Sequence, residues 1–214
     1  MTVAASFGPE EFRQNANVSR ETLARLKLFV ALLEDWNAPH NLVSSASLSD
    51  VWRRHIWDSA QLADLIPPSA TSLVDLGSGA GFPGLVLGLL LQGRPGFRAV
   101  LYESTRKKCE FLAAAAERLG IVAEIRNSRM EEAGAEAFDL VTARACAPLP
   151  KLLLYAQAFQ AHDTLNLFLK GQSVGEELTE AHKSWNMEVE ERPSRSDPSG
   201  TILLIRNLQA KRRT

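Results

Sequence analysis

Val74-Asp75-Leu76-Gly77-Ser78-Gly79-Ala80-Gly81-Phe82-Pro83-Gly84 opens as an apolar strand and runs directly into a glycine-rich turn that starts a helix. Gly77, Gly79 and Gly81 alternate where a backbone must bend sharply and approach a ligand closely, which a residue without a Cβ does at least cost. A turn of this kind holds a nucleoside cofactor. Asp75 stands just before it, at the carboxyl end of the strand. About twenty residues further on, a second apolar run, Val100-Leu101-Tyr102, ends in Glu103, a carboxylate suited to both hydroxyls of a ribose. Together these features point to nucleoside binding without saying which nucleoside.

Two cofactors compete. Gly79-Ala80-Gly81-Phe82-Pro83-Gly84 satisfies the G-x-G-x-x-G pattern of dinucleotide binders, which keeps a nicotinamide dehydrogenase in play. A pyrophosphate draws on free N–H groups at the helix start, and Pro83 offers none, although proline is tolerated at a first helical position. With Asp75 and the additional Gly77, the run is more similar to the D-x-G-x-G-x-G turn of S-adenosylmethionine-dependent methyltransferases, and that cofactor is preferred.

Length supports the preference. The chain has 214 residues, which suits one α/β domain with a helical extension. A dehydrogenase usually carries a separate substrate domain, and the strands that follow the turn continue almost to the C-terminus. With 45% hydrophobic residues the core can be substantial. No apolar run approaches the ~20 residues of a membrane helix. Met1 to Phe7 lacks a basic region followed by an apolar one, so a cytoplasmic protein without a secretory signal is expected. Cys109 and Cys146 are isolated, and His40, His55, His162 and His182 are scattered, so no metal site is predicted. A net charge of −1 argues against strong non-specific binding to nucleic acid.

Ahead of the glycine turn, residues 19–35 have a helical pattern with Ser19 as N-cap and Leu23, Leu26, Val30 and Leu33 on one stripe. Trp36 to Val43 reads as a turn-rich linker. A second helix is expected from Asp50 to Leu65, before Pro67-Pro68. Residues 1–70 are therefore an N-terminal helical cap and residues 71–214 the cofactor-binding domain, the two forming one compact unit. From residue 72 onward, strand-like runs at Ser72–Leu76, Arg98–Tyr102, Val122–Arg126, Phe138–Ala143 and Leu165–Leu169 alternate with helical patterns, which implies a parallel sheet covered on both faces. The helix after Glu103 starts at Ser104 or Thr105 and stops at Gly120. Leu149–Phe159 and Gly175–Trp185 supply two more. Met187–Glu191 and Thr201–Leu208 flank a helix-free connection, Pro193 to Gly200, and should pair antiparallel. Lys211-Arg212-Arg213 is expected to be a mobile tail.

Further motifs are more specific than the turn: Leu33-Glu34-Asp35-Trp36-Asn37 with Asn41-Leu42, Arg54-His55-Ile56-Trp57-Asp58-Ser59, Ser128-Arg129-Met130-Glu131-Glu132, Thr142-Ala143-Arg144-Ala145 and Lys170-Gly171. In this order, with the glycine turn in its place, they resemble the glucose-inhibited division protein B family, the bacterial small-subunit ribosomal RNA methyltransferases G. The resemblance spans roughly residues 33–171 and implies a Rossmann-like class I methyltransferase sheet, mostly parallel with a C-terminal antiparallel hairpin, plus the helical cap. It also implies transfer of a methyl group from S-adenosyl-L-methionine to N7 of a guanine in 16S ribosomal RNA, guanine 527 of the small subunit. Carried over by position, Gly77 and Phe82 line the methionine and adenosine path, Met130 and Glu131 border the adenine, and Arg144 reaches the cofactor or the target base. Glu103 as the ribose ligand comes from the strand pattern, not from the family. Val43-Ser44 and Cys146 depart from the family's usual threonine and phenylalanine, away from the cofactor turn.

Guanine N7 carries a free lone pair, so methylation there needs no general base, only alignment, worth up to roughly 7–11 kcal/mol. Arg144 is accordingly expected to orient guanine O6 or the cofactor carboxylate. Candidate RNA contacts are Arg54, His55, Arg129 and Lys170, with Arg53, Arg106-Lys107-Lys108, Arg126, Lys151 and the basic tail as further cations. Solvation alone explains the runs at 106–108 and 211–213 as well or better. His55 reads equally as a structural histidine bonded to Asp58 or a backbone carbonyl. Trp36, Trp52 and Trp57 read as core rather than as stacking platforms, and Asn37 and Asn41 as residues fixing a turn through local bonds. The expected partner is 16S ribosomal RNA, as part of the small subunit or an assembly intermediate, met by a monomer. The competing possibilities are a methyltransferase acting on a small molecule or protein, and a non-catalytic ribosome-assembly factor.

Overall fold

A computed structural model describes residues 7–211. The expectations placed on Met1–Ser6 and on Arg212-Arg213 lie outside the described residues. The cap begins with helix α1 (Pro9–Ala16) and helix α2 (Arg20–His40). Ser19 caps α2 through its Oγ, which accepts from Thr22 N at 3.0 Å, and the stripe Leu23, Leu26, Val30 and Leu33 is buried as expected, with Phe29 beside it. The expected linker from Trp36 is instead the last part of α2. Pro39 sits so near the end that its missing N–H interrupts only the final turn. The helix stops at Asn41, left-handed at φ 49°, whose N–H donates to Asn37 O, while Asn37 Oδ1 accepts from Val43 N at 2.8 Å. Both asparagines thus fix a turn by local bonds, one turn later than anticipated.

The expected single helix from Asp50 to Leu65 is also broken up. After the short α3 (Ser45–Leu48) comes a π-helical turn, Trp52–Trp57, then α4 (Asp58–Ala60) and a 3-10 turn, Gln61–Leu65. Asp58 N–H reaches back five residues to Arg53 O, the mark of the widened turn.

Strands β1 (Ser72–Leu76), β2 (Arg98–Glu103), β3 (Ala123–Asn127), β4 (Phe138–Arg144), β5 (Gln160–Lys170), β6 (Trp185–Pro193) and β7 (Thr201–Ala210) form one sheet in the order β3-β2-β1-β4-β5-β7-β6. The first five run parallel, and β7 pairs antiparallel with both β5 and β6. The C-terminal hairpin is therefore as expected. Between strands lie α5 (Gly84–Leu91), α6 (Arg106–Leu119), α7 (Leu149–Ala156) and α8 (Val174–Ser184). Gly120 closes α6 at φ 64°, the left-handed stop its position predicts.

Side chains alternate across the strands and feed two apolar clusters. Leu73, Leu101, Leu140 and Leu167 face α5, α6 and the cap, whose Phe12, Leu26, Phe29 and Ile56 belong to the same cluster. Val74, Val100, Val141 and Phe168 face α7 and α8. Trp57 is buried in the first cluster and Trp36 and Trp52 pack against it, so all three are core. No helix among the described residues is long and apolar enough to cross a membrane.

Candidate active site

The carboxyl ends of β1, β2 and β4 meet around a cavity of about 450 Å³, the usual ligand position in a parallel sheet of this kind. The glycine turn forms one wall. Gly77 and Gly79 sit at φ 68° and 56°. A Cβ on Gly77 would come within 2.8 Å of Cys146 Cβ, whereas one on Gly79 would meet only Gly77 O, at 3.8 Å. Ser78 N donates to Tyr102 O at 2.9 Å and ties the turn to β2. Glu103, at the end of β2, accepts from Gly79 N at 3.1 Å and from Thr105 N at 2.7 Å, so its carboxylate is fixed against the turn. Across the cavity stand Met130 and Glu131. Tyr155 donates its hydroxyl to Glu131 Oε1 at 2.6 Å, which holds that carboxyl below its ordinary pKa. Lys108, Arg129 and Lys151 also line the cavity.

Of the residues expected to touch a cofactor, Gly77, Gly79, Phe82, Glu103, Met130, Glu131 and Arg144 line this cavity. Asp75 and Gly81 do not. Asp75 is fully buried beneath the turn, where its Oδ1 accepts from Thr142 Oγ1 at 2.7 Å and burial raises its pKa. A Cβ on Gly84 would lie 2.7 Å from Asp75 Oδ2, so strand and helix close directly over the carboxylate. Gly81, at φ 89°, is pressed against the Leu85 side chain, 2.5 Å from where its Cβ would be. Both residues shape the turn from behind.

The expected RNA contacts divide in the same way. Arg54 and Arg129 are exposed. Lys170 is not available: its Nζ lies 2.6 Å from Glu177 Oε2 and donates to Ala147 O, with the side chain 8% exposed. Arg126 is engaged by Glu124 and Glu136. His55 is buried and stacks on Phe82 with ring centroids 4.8 Å apart, so it does not present itself to a phosphate. Its partner is neither Asp58 nor a carbonyl but Arg144, whose Nη2 lies 2.7 Å from His55 Nδ1. A guanidinium only donates, so Nδ1 accepts and the imidazole proton sits on Nε2. Burial, reinforced by Arg144 and Arg54, pushes the His55 pKa down to about 3 and keeps the ring neutral.

Arg144 is the hub. Its Nη1 donates to Arg54 O at 2.8 Å and reaches Asp58 Oδ2 at 3.4 Å, and the guanidinium lies 5.1 Å from the Phe82 ring centroid. The widened turn at Trp52–Trp57 brings Arg54, His55 and Asp58 to one arginine at the end of β4. Asp58 is in turn bound by Ser196 and Gln61, and burial raises its pKa. Tyr155 carries no sequence signal; Lys108, read only as one cation of the 106–108 run, and Ala145, read only as part of the Thr142–Ala145 motif, also line the site, Ala145 as a non-glycine residue at φ 50°. Cys146, expected to lie away from the cofactor turn, instead packs directly against Gly77 of that turn. It is half-buried, lines the cavity, and has a pKa pushed up by burial to about 11.

Backbone groups from a glycine turn, a fixed carboxylate at a strand end and the apolar Met130 and Phe82 make a mixed lining that suits a nucleoside bearing an amino-acid tail. Residues 22–198 match the GidB family, described as rRNA small subunit methyltransferase G. The chain is 49% identical over 201 residues to the ribosomal RNA small subunit methyltransferase G of Parvibaculum lavamentivorans, covering 93% of this chain and 89% of that protein. It is 48% identical to the protein of the same name from Rhodospirillum centenum, covering 94% and 92%. Among solved structures, an O-methyltransferase from Bacillus cereus in complex with SAH is similar with a TM-score of 0.58 at 14% identity, over 84% of this chain and 90% of that one, a likeness of fold. Matched along most of its length by the family and by relatives that share nearly half its residues, the chain belongs to the rRNA small subunit methyltransferase G family.

Proposed function

We propose that the protein transfers the methyl group of S-adenosylmethionine to N7 of one guanine in 16S ribosomal RNA, guanine 527 by the family resemblance, acting as a cytoplasmic monomer on the small subunit or an assembly intermediate. The observation that carries this reading is the cavity at the three strand ends, with the glycine turn and Glu103 on one side and Met130 and Glu131 on the other, in a chain of this family. Bound there, S-adenosylmethionine supplies an already activated methyl group.

The chain's own residues then bind and orient. Glu103 has lone pairs to spare beyond its two backbone N–H bonds, and it takes the ribose hydroxyls. Met130 covers the adenine. Gly77 and Gly79 let the backbone approach without a Cβ in the way. Arg144 is held from the cap side by Arg54 O, His55 and Asp58, which sets it as an orienting donor toward the cofactor or guanine O6. The carboxylates around the cavity are already engaged, Glu103 by N–H groups and Glu131 by Tyr155, which suits an acceptor atom with its own lone pair and no proton to lose.

The protein is incubated with methyl-labelled S-adenosylmethionine and small ribosomal subunits, free 16S RNA or unrelated protein, and the RNA is digested to nucleosides. Label in 7-methylguanosine is the expected result. Label confined to another nucleoside, to protein or to a small molecule overturns the proposal.

A further inference from the structure

Arg144 and Ala145 are shared between the cofactor cavity and a second one of about 490 Å³ on the cap side. This second cavity lies between Arg53 and Arg54 of the widened turn and Ser196, Asp197 and Pro198 of the β6–β7 loop. Its volume falls within the roughly 300–1,000 Å³ of small-ligand sites. A third cavity that also touches Arg144, at about 220 Å³, does not.

The loop wall is built rather than incidental. Ser196 Oγ donates to Asp58 Oδ1, Arg195 N donates to Gln61 Oε1 at 2.7 Å, and the Arg195 guanidinium lies 4.8 Å from the Trp57 ring centroid. Besides Arg53, whose guanidinium lies 5.3 Å from the Phe7 ring centroid, two groups facing the cavity are left over from this wiring. Among the described residues, neither the Arg54 guanidinium nor the Asp50 carboxylate makes a side-chain hydrogen bond or ion pair. One is an unengaged cation and the other an unengaged acceptor, one turn apart on the same face, with Arg54 N donating to Asp50 O at 2.9 Å.

That pairing matches a nucleotide, and guanine in particular. In A-form RNA the edge that carries N7 lies in a deep, narrow groove that side chains cannot enter, so the target base must be splayed out to be reached. An extruded base is then read on its Watson–Crick edge. Guanine offers two donors there, N1–H and N2–H, which a carboxylate accepts, whereas adenine turns its N1 lone pair toward the same oxygens.

Resting on the methyl-transfer reading above, we propose that the cavity between the widened turn and the β6–β7 loop is the acceptor site, taking one guanine nucleotide extruded from RNA with its phosphate on Arg54 and its Watson–Crick edge on Asp50. N7 then points past Arg144 and Ala145, which line both cavities, to meet the methyl carbon in line, and the sulfur leaves with the electron pair of the broken C–S bond.

The full chain and three variants, Arg54→Ala, Asp50→Ala and Pro198→Trp, are compared by initial rates on small ribosomal subunits, while affinity for S-adenosylhomocysteine is measured by calorimetry. Pro198→Trp, which fills the cavity, is expected to lower kcat/KM tenfold or more, and Asp50→Ala about tenfold. Arg54→Ala is expected to raise KM several-fold and to reduce the salt slope by about one. All three should keep their affinity for S-adenosylhomocysteine within twofold, which also reports that they fold. Retention of wild-type kcat/KM within twofold by all three overturns the proposal while leaving methyl transfer standing. No transfer by the wild-type protein removes the methyl-transfer reading itself, and this proposal with it.

Discussion

Gly77 does two jobs that no other residue can combine. Its φ of 68° is left-handed, and its missing Cβ leaves room for Cys146. Gly77→Ala should therefore cost about 1–3 kcal/mol of stability and push the turn into the cavity, raising the dissociation constant of S-adenosylhomocysteine at least tenfold by calorimetry. His55 sets a pH dependence. The unfolded chain's imidazole titrates near 6.5 and the folded one near 3, so between these values the unfolded state binds the extra proton. Stability is then intact above roughly pH 6.5 and falls by up to about 1.4 kcal/mol per pH unit below it. His55→Gln keeps an acceptor for Arg144 but cannot titrate, so its loss of unfolding free energy between pH 7 and pH 5, by urea denaturation, should be smaller than wild type by about 2 kcal/mol. The glycines were legible at this scale because positive φ leaves a compositional trace. The inward direction of Asp75 was not, since a carboxylate before a glycine turn has the same letter whether it faces a ligand or Thr142. Lys170 was misread as a free cation because its partner, Glu177, lies on the following helix, and one chain without coordinates does not reveal that pairing.

At the scale of elements, the cap and the C-terminal hairpin are joined by side chains more than a hundred positions apart. Gln61, 1% exposed, donates to Asp58 Oδ1, Ser194 Oγ and Ser196 Oγ, and accepts from Arg195 N. Gln61→Ala leaves a part-buried N–H without its partner and weakens the hold on Asp58, and hence on Arg144. It should cost about 2–3 kcal/mol in chemical denaturation. At a temperature where it remains folded, it should reduce kcat on small subunits more than it changes affinity for S-adenosylhomocysteine. The elements themselves were largely legible, because short continuous apolar runs mark β1 and β2 as strands buried on both faces and the 3.6-residue period survives in α2 and α6. The widened turn at Trp52–Trp57 was not: over six residues, five-residue and four-residue hydrogen bonding bury nearly the same side chains. The extension of α2 through Pro39 was hidden for a different reason. Proline and two asparagines signal a turn, and they do make one, but only after the helix has used its last residues.

The whole molecule places both cavities at one end of the sheet, where the cap, the glycine turn and the hairpin loop converge. Cap residues such as Phe29 and Ile56 share an apolar cluster with Leu73 and Leu101 of the sheet, so the cap has no separate core to melt from. A ligand bound at the strand ends should then stabilise cap and sheet together. At a concentration one hundred times its dissociation constant, S-adenosylhomocysteine contributes about 2.7 kcal/mol, and for a chain of this size each kcal/mol moves the melting temperature by roughly 2–4 °C. The expected rise is therefore roughly 5–11 °C. Trp36, Trp52 and Trp57 all lie in the cap and only Trp185 in the sheet, so tryptophan fluorescence follows mainly the cap while far-ultraviolet circular dichroism follows the whole fold. Both signals should shift by the same amount. A circular-dichroism shift with no fluorescence shift would mean that the cap melts independently. In that case Arg144 could not be held by Arg54, His55 and Asp58 while the cofactor is bound, and the cap would have to be treated as a separate unit.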